Sequence, residues 1–229
     1  MISPVLAETP ALLAHHPLGV STGYMHDLRG DWEAQIDQAW NFSPFAIELS
    51  ALSEDEVEGL ERYLQSAPAL PFRYLSVHGP SKGREMSEPA LVRSLKRLSV
   101  QAQAIVMHPD TIENPVLYRA LGRKLVLENM DARKQNGRSA DELEYWFSEL
   151  PQAGFCFDIA HAFSLDHTML AASELLDAFR TRLRHVHVSS LSEEGHHIAL
   201  TEEHEELFGP LLARCLDVPW ILEAPPREP

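Results

Sequence analysis

Cysteine is scarce in this chain of 229 residues: Cys156 and Cys215 are the only two. Two thiols make no disulfide framework, so the composition points to a reducing, cytoplasmic setting. Cys156, inside an apolar run, reads as a small core residue. Long hydrophobic runs are missing too. None approaches the ~20 residues needed to cross a bilayer, which argues against a membrane span. The opening MISPVLAETPALLAHHP lacks the basic start and long apolar stretch of a secretory signal. Basic residues are few, with 19 Lys and Arg against 34 Asp and Glu, a net charge of −15. Nucleic acid is held mainly through Lys and Arg on phosphates, so this balance disfavours a polyanion partner. A local basic groove can still sit inside an acidic total, and carboxylates that hold divalent cations would be neutralised. The acid-rich stretches SEDEVEGLE and TEEHEEL read as solvated helix faces.

What the chain does have is eight short apolar runs, seven of which deliver a residue able to bind a metal or move a proton. FAIELS delivers Glu48, YLSVHGP His78, AIVMHPD His108 and KLVLENMD Glu128. FCFDIAHAF then delivers Asp158 and His161, HVHVSS His187 and WILEAP Glu223; only PLGVSTG ends in small polar residues. Burying a carboxylate or imidazole unpaired costs several kcal/mol. Repetition at seven strand ends therefore predicts one shared polar site at one face of a sheet or barrel.

Helical segments with start signals separate the runs. Ser53 with Glu56, and Ser139 with Glu142, have capping-box spacing, and Asp166 can cap HTMLAASELLDAFRTRL. DWEAQIDQAW, EPALVRSLKRLSVQ and TEEHEELFGPLLARCL fill other gaps, while TIENPVLYRALG has room for two or three turns. Strand and helix alternate eight times with no long linker. The strands are continuous apolar runs, as parallel strands covered by helices require. The expectation is a single (β/α)8 TIM barrel of short loops spanning residues 1–229, with its site on the rim formed by the strand C-termini.

Glu128, Asp158, His187 and Glu223 come from the last four strands, and their oxygens and imidazole suit Mn, Mg, Co or Zn. Asp158-Ile-Ala-His161 places a second ligand one turn beyond its strand. His78 and His108 approach from strands three and four. After His187 the loop SSLSEEGHHIAL offers Glu194, His196 and His197. Crowded carboxylates repel one another unless cations sit among them. Each lone histidine has a plainer reading as a hydrogen-bonded structural residue, and that reading is kept for His185 and for His15, His16, His26, His167 and His204. Glu48 can also simply pair with a rim Arg. Lys82, Arg84, Arg133, Lys134 and Arg138 are read as surface residues with a secondary reading as phosphate binders.

At these residues the chain resembles the xylose-isomerase-like TIM-barrel superfamily, which includes sugar isomerases and epimerases and AP endonuclease IV-like proteins. The resemblance runs from PLGVSTG to ILEAP. In the isomerase branch it implies a metal quartet of Glu128, Asp158, His187 and Glu223, with Glu128 and Glu223 passing a proton at the carbon beside a carbonyl and His161 touching substrate. In the endonuclease IV branch it implies a zinc set of His78, His108, Glu128, Asp158, His161, His187, Glu194, His196 and Glu223, with Glu194 where Asp is usual. Substrate contacts are expected from Glu48, Lys82, Arg84, Asn129 and His197, and the cofactor is one to three divalent ions per chain.

Three functions follow. The first is an isomerase or epimerase of a small sugar or related polyhydroxy carbonyl compound, which needs only the quartet. The second is a multinuclear zinc phosphoesterase, which uses the additional histidines. The third is a metal- or partner-binding scaffold, disfavoured because it needs no paired glutamates. Short loops without an aromatic wedge disfavour duplex DNA, since extruding a nucleotide requires inserted side chains and many phosphate contacts.

Overall fold

The apolar runs become strands because both of their faces are covered. The structure, a computed structural model, describes residues 16–67, 69–82 and 85–225; Arg84, His15 and most of the opening segment lie outside them. The strands are β1 (Leu18–Ser21), β2 (Ala46–Ser50), β3 (Tyr74–His78), β4 (Ala104–Met107), β5 (Leu125–Glu128), β6 (Gly154–Asp158) and β7 (Leu183–Val188). A hairpin of β8 (Ser190–Leu191) and β9 (His197–Ile198) precedes β10 (Trp220–Leu222). Around a closed barrel the order is β1-β10-β7-β6-β5-β4-β3-β2, and every neighbouring pair is parallel.

Outside it stand α1 (Trp32–Phe42), α2 (Glu54–Ser66), α3 (Glu88–Leu98), α4 (Pro115–Tyr118), α5 (Ala140–Glu149), α6 (Ile159–Leu165), α7 (Leu170–Phe179) and α8 (Glu202–Leu212). Glu56 accepts from the Ser53 backbone N–H at 3.0 Å, closing the expected capping box of α2. At α5 only half of that motif forms: Ser139 Oγ accepts from Glu142 N, while the Glu142 carboxylate takes Arg138 N instead. Asp166 does not sit at the N-cap of α7, which is Met169, but from upstream it accepts from Ala171 N in the first turn. The TIENPVLYRALG helix is shorter than expected, four residues followed by 3-10 turns that break at Gly122, φ 56°. Two elements are new. The FCFDIAHAF run divides into β6 and α6, and the loop after β7 folds into the hairpin.

Because successive side chains on a strand point to opposite faces, the barrel has two interiors. Ile47, Leu49, Val77, Ile105, Leu127 and Phe157 point outward into the main apolar core, where they meet Leu60, Leu91, Leu95 and Leu176 of the helices. Each such burial contributes about 1.5–3 kcal/mol. Inside the barrel the apolar cluster is small: Ala104, Val106, Val126 and Cys156, with Tyr74 against it. Polar side chains occupy much of the rest. Ser21 Oγ meets Ser50 Oγ at 2.7 Å, and Ser76 Oγ donates to Glu48 at 2.8 Å. TIM barrels usually fill this space with bulky branched residues.

The close approach of β1 to β2 depends on Gly19. A Cβ there would lie 2.5 Å from Ala46 O and 2.6 Å from Ala46 Cβ, mostly against backbone. Gly19→Ala is expected to destabilise the fold by about 1–3 kcal/mol, read as a lower urea midpoint at unchanged slope. A midpoint equal to that of the parent would contradict this packing.

Candidate metal centre

The C-terminal ends of the strands are tied together before any ligand chemistry begins. Asn129, just past β5, donates Nδ2 to Asp158 O and accepts from Asp158 N, both at 2.8 Å. Asp158 then serves as the N-cap of α6, its Oδ1 accepting from His161 N at 2.6 Å. That cap is why the Asp-x-x-His step turns both side chains into one mouth. The second Asp158 oxygen is left buried without a hydrogen-bond partner.

Glu128 occupies the centre. Its Oε2 lies 3.1 Å from His78 Nε2 and 3.3 Å from His108 Nε2. Its Oε1 lies 3.1 Å from His161 Nδ1 and 3.5 Å from His187 Nδ1. His187 Nδ1 is also 3.3 Å from Glu223 Oε1, and His197 Nδ1 is 3.4 Å from Glu223 Oε2. The donor atoms fall into three overlapping groups, each within 4.8 Å: His78–His108–Glu128, Glu128–Asp158–His187–Glu223 and Asp158–His161–His197. His108 Nδ1, Asp158 Oδ2, His187 Nδ1 and Glu223 Oε2 are buried with no hydrogen-bond partner. Orphaned buried donors and acceptors are costly, and this mix of imidazole and carboxylate suits divalent ions. The residues fit a metal. Cys156 with His185 and His187 reaches the same spacing one layer deeper, but burial pushes the thiol well up and so disfavours the thiolate a metal needs.

The electrostatics carry the mark of crowding. Burial alone would raise Glu128, but His187 and His108 hold it well below the usual carboxylate range. Glu223 goes the other way: burial, reinforced by the Asp158 and Glu128 charges and opposed by His187, holds it well above. Burial works against His161, yet Asp158 and Glu128 lift it to about 10, whereas burial takes His197 down to about 4. A cation among these carboxylates would relieve the repulsion that adds to burial in raising Glu223.

Most of the sequence-predicted residues converge: His78, His108, Glu128, Asp158, His161, His187, His197 and Glu223. Others do not. Glu194 and His196 are exposed on the hairpin, where a turn closed by Ser192 N donating to His196 O and Gly195 at φ 78° points them to solvent. His197, expected as a substrate contact, stands among the ligand donors in their place. Glu48 is not on the rim: it lies mid-strand in β2, wholly buried beneath the cluster, and no Arg pairs with it. Asn129 is likewise fully buried, its amide spent on Asp158, and offers no surface to substrate. Lys82 is exposed on the loop after β3 and outside the cluster. Arg133, Lys134 and Arg138 pair with Asp131, Asp110 and Glu142. Asp131, its Oδ2 3.9 Å from His161 Nε2, went unnoticed in the sequence. Its position three residues past Glu128 in KLVLENMD was the available signal.

Residues 33–229 match the family described as the xylose isomerase-like TIM barrel. The chain belongs to that family. No match to its sequence was found among curated proteins. Among solved structures, a D-psicose 3-epimerase crystallised in the presence of D-fructose shares a TM-score of 0.53 and 13% identity, over 90% of this chain and 84% of that one. A crystal structure of AsfvAP:AG shares a TM-score of 0.51 and 13% identity, over 81% of this chain and 79% of that one. Identities this low speak to the barrel alone. Among the described residues no helix is long and apolar enough to cross a membrane.

Removing metal tests the centre directly. Protein stripped with a chelator is expected to melt below protein supplied with Zn²⁺ or Mn²⁺. At a free ion concentration of ~100 times Kd the gain is about 2.7 kcal/mol, or roughly 5–11 °C in Tm for a domain of this size. A Tm indifferent to both ions would remove the case for a bound metal.

Proposed function

We propose that this protein is a multinuclear divalent-metal hydrolase acting on a small ester, with a phosphate ester as the favoured class. The observation that carries this reading is the engagement of Glu128. Both of its oxygens face imidazoles, His78 and His108 on one side, His161 and His187 on the other. A glutamate that takes a proton from carbon needs an oxygen free toward substrate, whereas one that bridges two donor groups needs both oxygens committed. Divalent ions in these groups would supply Lewis acidity, polarising an ester and acidifying water. Glu128 joins the His78–His108 group to the quartet. Asp158 joins the quartet to His161 and His197. Glu223, 14% exposed, is the one of the quartet's three carboxylates that reaches the mouth. With His197 Nδ1 at 3.4 Å, its Oε2 is placed to hold or pass a proton where substrate arrives.

Charge favours a small substrate over nucleic acid. Arg133, Lys134 and Arg138 beside the mouth are each neutralised by a carboxylate, so they make poor contacts for a phosphate backbone. A second reading, an isomerase or epimerase of a small sugar, draws on a different observation. Glu128 and Glu223 are pushed in opposite directions by their surroundings, the asymmetry an acid–base pair requires.

Metal counting separates the two. The hydrolase reading expects two or three ions per chain, reduced by one in a His78→Ala, His108→Ala double variant, and slow turnover of bis(p-nitrophenyl) phosphate. One ion per chain, with interconversion of D-fructose and its 3-epimer and no ester cleavage, would replace it with the epimerase. On either reading Glu128→Gln keeps the fold and lowers kcat by at least a hundredfold, of the order of one lost general acid–base or electrostatic contribution. Unchanged turnover would dismiss Glu128 from the chemistry.

A further inference from the structure

We infer that Glu48, inside the barrel, is a positioning residue that fixes which nitrogen His187 presents to a metal. The inference rests on the metal reading above and extends it one layer down. His187 Nε2 lies 3.2 Å from Glu48 Oε2 and 3.1 Å from Glu48 Oε1. An ionised carboxylate only accepts, so Nε2 carries the proton. Nδ1 is then the nitrogen turned toward Glu128, Asp158 and Glu223, at 3.5, 3.9 and 3.3 Å, and the one that would give up its proton to take a metal.

Two of the other cluster histidines are set in the opposite sense. His78 Nδ1 lies 2.8 Å from Gly79 O, and His161 Nδ1 lies 3.0 Å from Asn129 O. Each donates Nδ1–H to a carbonyl and offers Nε2. Among the described histidines that offer a ligand atom at the mouth, His187 is the one held from below by a carboxylate.

Glu48 is in turn held. Ser76 Oγ donates to its Oε2 at 2.8 Å, and His185 Nε2 stands 3.6 Å from the same oxygen. His185 Nδ1 is 2.8 Å from Tyr74 Oη. The side chains of Glu48, Ser76, His185 and His187 are wholly buried, at a depth where a barrel packs aliphatic residues. A carboxylate costs free energy there, and orienting a ligand imidazole is a role that offsets the cost. Partners of this kind fix the tautomer and raise ligand basicity, and losing one weakens metal binding by about 10- to 100-fold.

The test uses apoprotein refilled with Zn²⁺, with affinity from equilibrium dialysis and the ring state from ¹⁵N-histidine spectra. In the Zn²⁺-loaded parent, His187 is expected to show a solvent-protected Nε2–H and an Nδ1 without a proton. Glu48→Leu removes the acceptor. It is expected to lose that protection and to bind the quartet ion about 10- to 100-fold more weakly, leaving the His78–His108 ion in place. Glu48→Gln keeps an acceptor oxygen and is expected to fall between, which guards against a Leu variant that fails to fold. A folded Glu48→Leu with parental affinity, or Zn²⁺-loaded parent in which His187 keeps its proton on Nδ1, overturns the inference. Parent protein that takes up no ion ends the metal reading instead, and the ¹⁵N spectrum of the metal-free chain still reads which nitrogen Glu48 holds.

Discussion

Everything at the mouth of this barrel follows from one constraint: several buried carboxylates cannot share a few ångströms of low-dielectric space without positive charge between them. Glu128, Asp158 and Glu48 have essentially no exposure, and Glu223 very little. In the chain itself the groups set against them are imidazoles, although burial lowers His108 and takes His185 down to about 3, so these two supply little charge. Glu128 recruits four of them and Glu48 two. The compensation is incomplete. Burial and the Asp158 and Glu128 charges hold Glu223 well above the usual carboxylate range against the pull of His187, and several donor atoms have no hydrogen-bond partner. A polar cluster this far from satisfied is a poor structural element and a good ligand shell.

The fold answers the constraint with rigidity. Strand ends that carry ligands are fixed by backbone-directed contacts: Asn129 to Asp158, His78 to Gly79 and Asp158 to the first turn of α6. None of these depends on a long surface side chain, whose entropy would loosen the geometry. Below them the barrel gives up aliphatic filling for Glu48, Ser76, His185 and Tyr74. The apolar burial lost there is recovered outside, in the continuous layer between strands and helices. The stability of the barrel and the chemistry of its mouth are thus supplied by opposite faces of the same strands.

That division explains what could be read in advance. Apolar runs ending in Glu128, Asp158, His187 and Glu223 announced both the parallel strands and the ligand-bearing rim, because side chains at strand ends are placed by the fold rather than by loop detail. Glu48 was misplaced by two residues' worth of depth: FAIELS reads as a run ending in Glu, yet the strand continues through Ser50. The hairpin was the other failure. Glu194, His196 and His197 lie close together in sequence, and which of them faces inward depends on a turn at Gly195 that linear spacing does not reveal. His185 was set aside as structural for a sound reason, since isolated buried histidines usually are. Its tie to Glu48 spans more than a hundred residues and has no local signature.

The difference between the two enzymatic readings reduces to what Glu128 has to spare. Carboxylate oxygens can each take a proton or a cation, and a residue flanked on both sides cannot also approach a substrate carbon without giving up a partner. Giving up His161 or His187 would cost Glu128 Oε1 its compensation within a buried cluster. Giving up His78 and His108 would strand two imidazoles that the epimerase reading leaves without a task. The arrangement is self-consistent when both oxygens remain engaged, with proton movement left to Glu223 and His197 at the more open edge. The histidines of strands three and four, unnecessary for a single ion, are therefore the residues that tilt the balance toward a site with several.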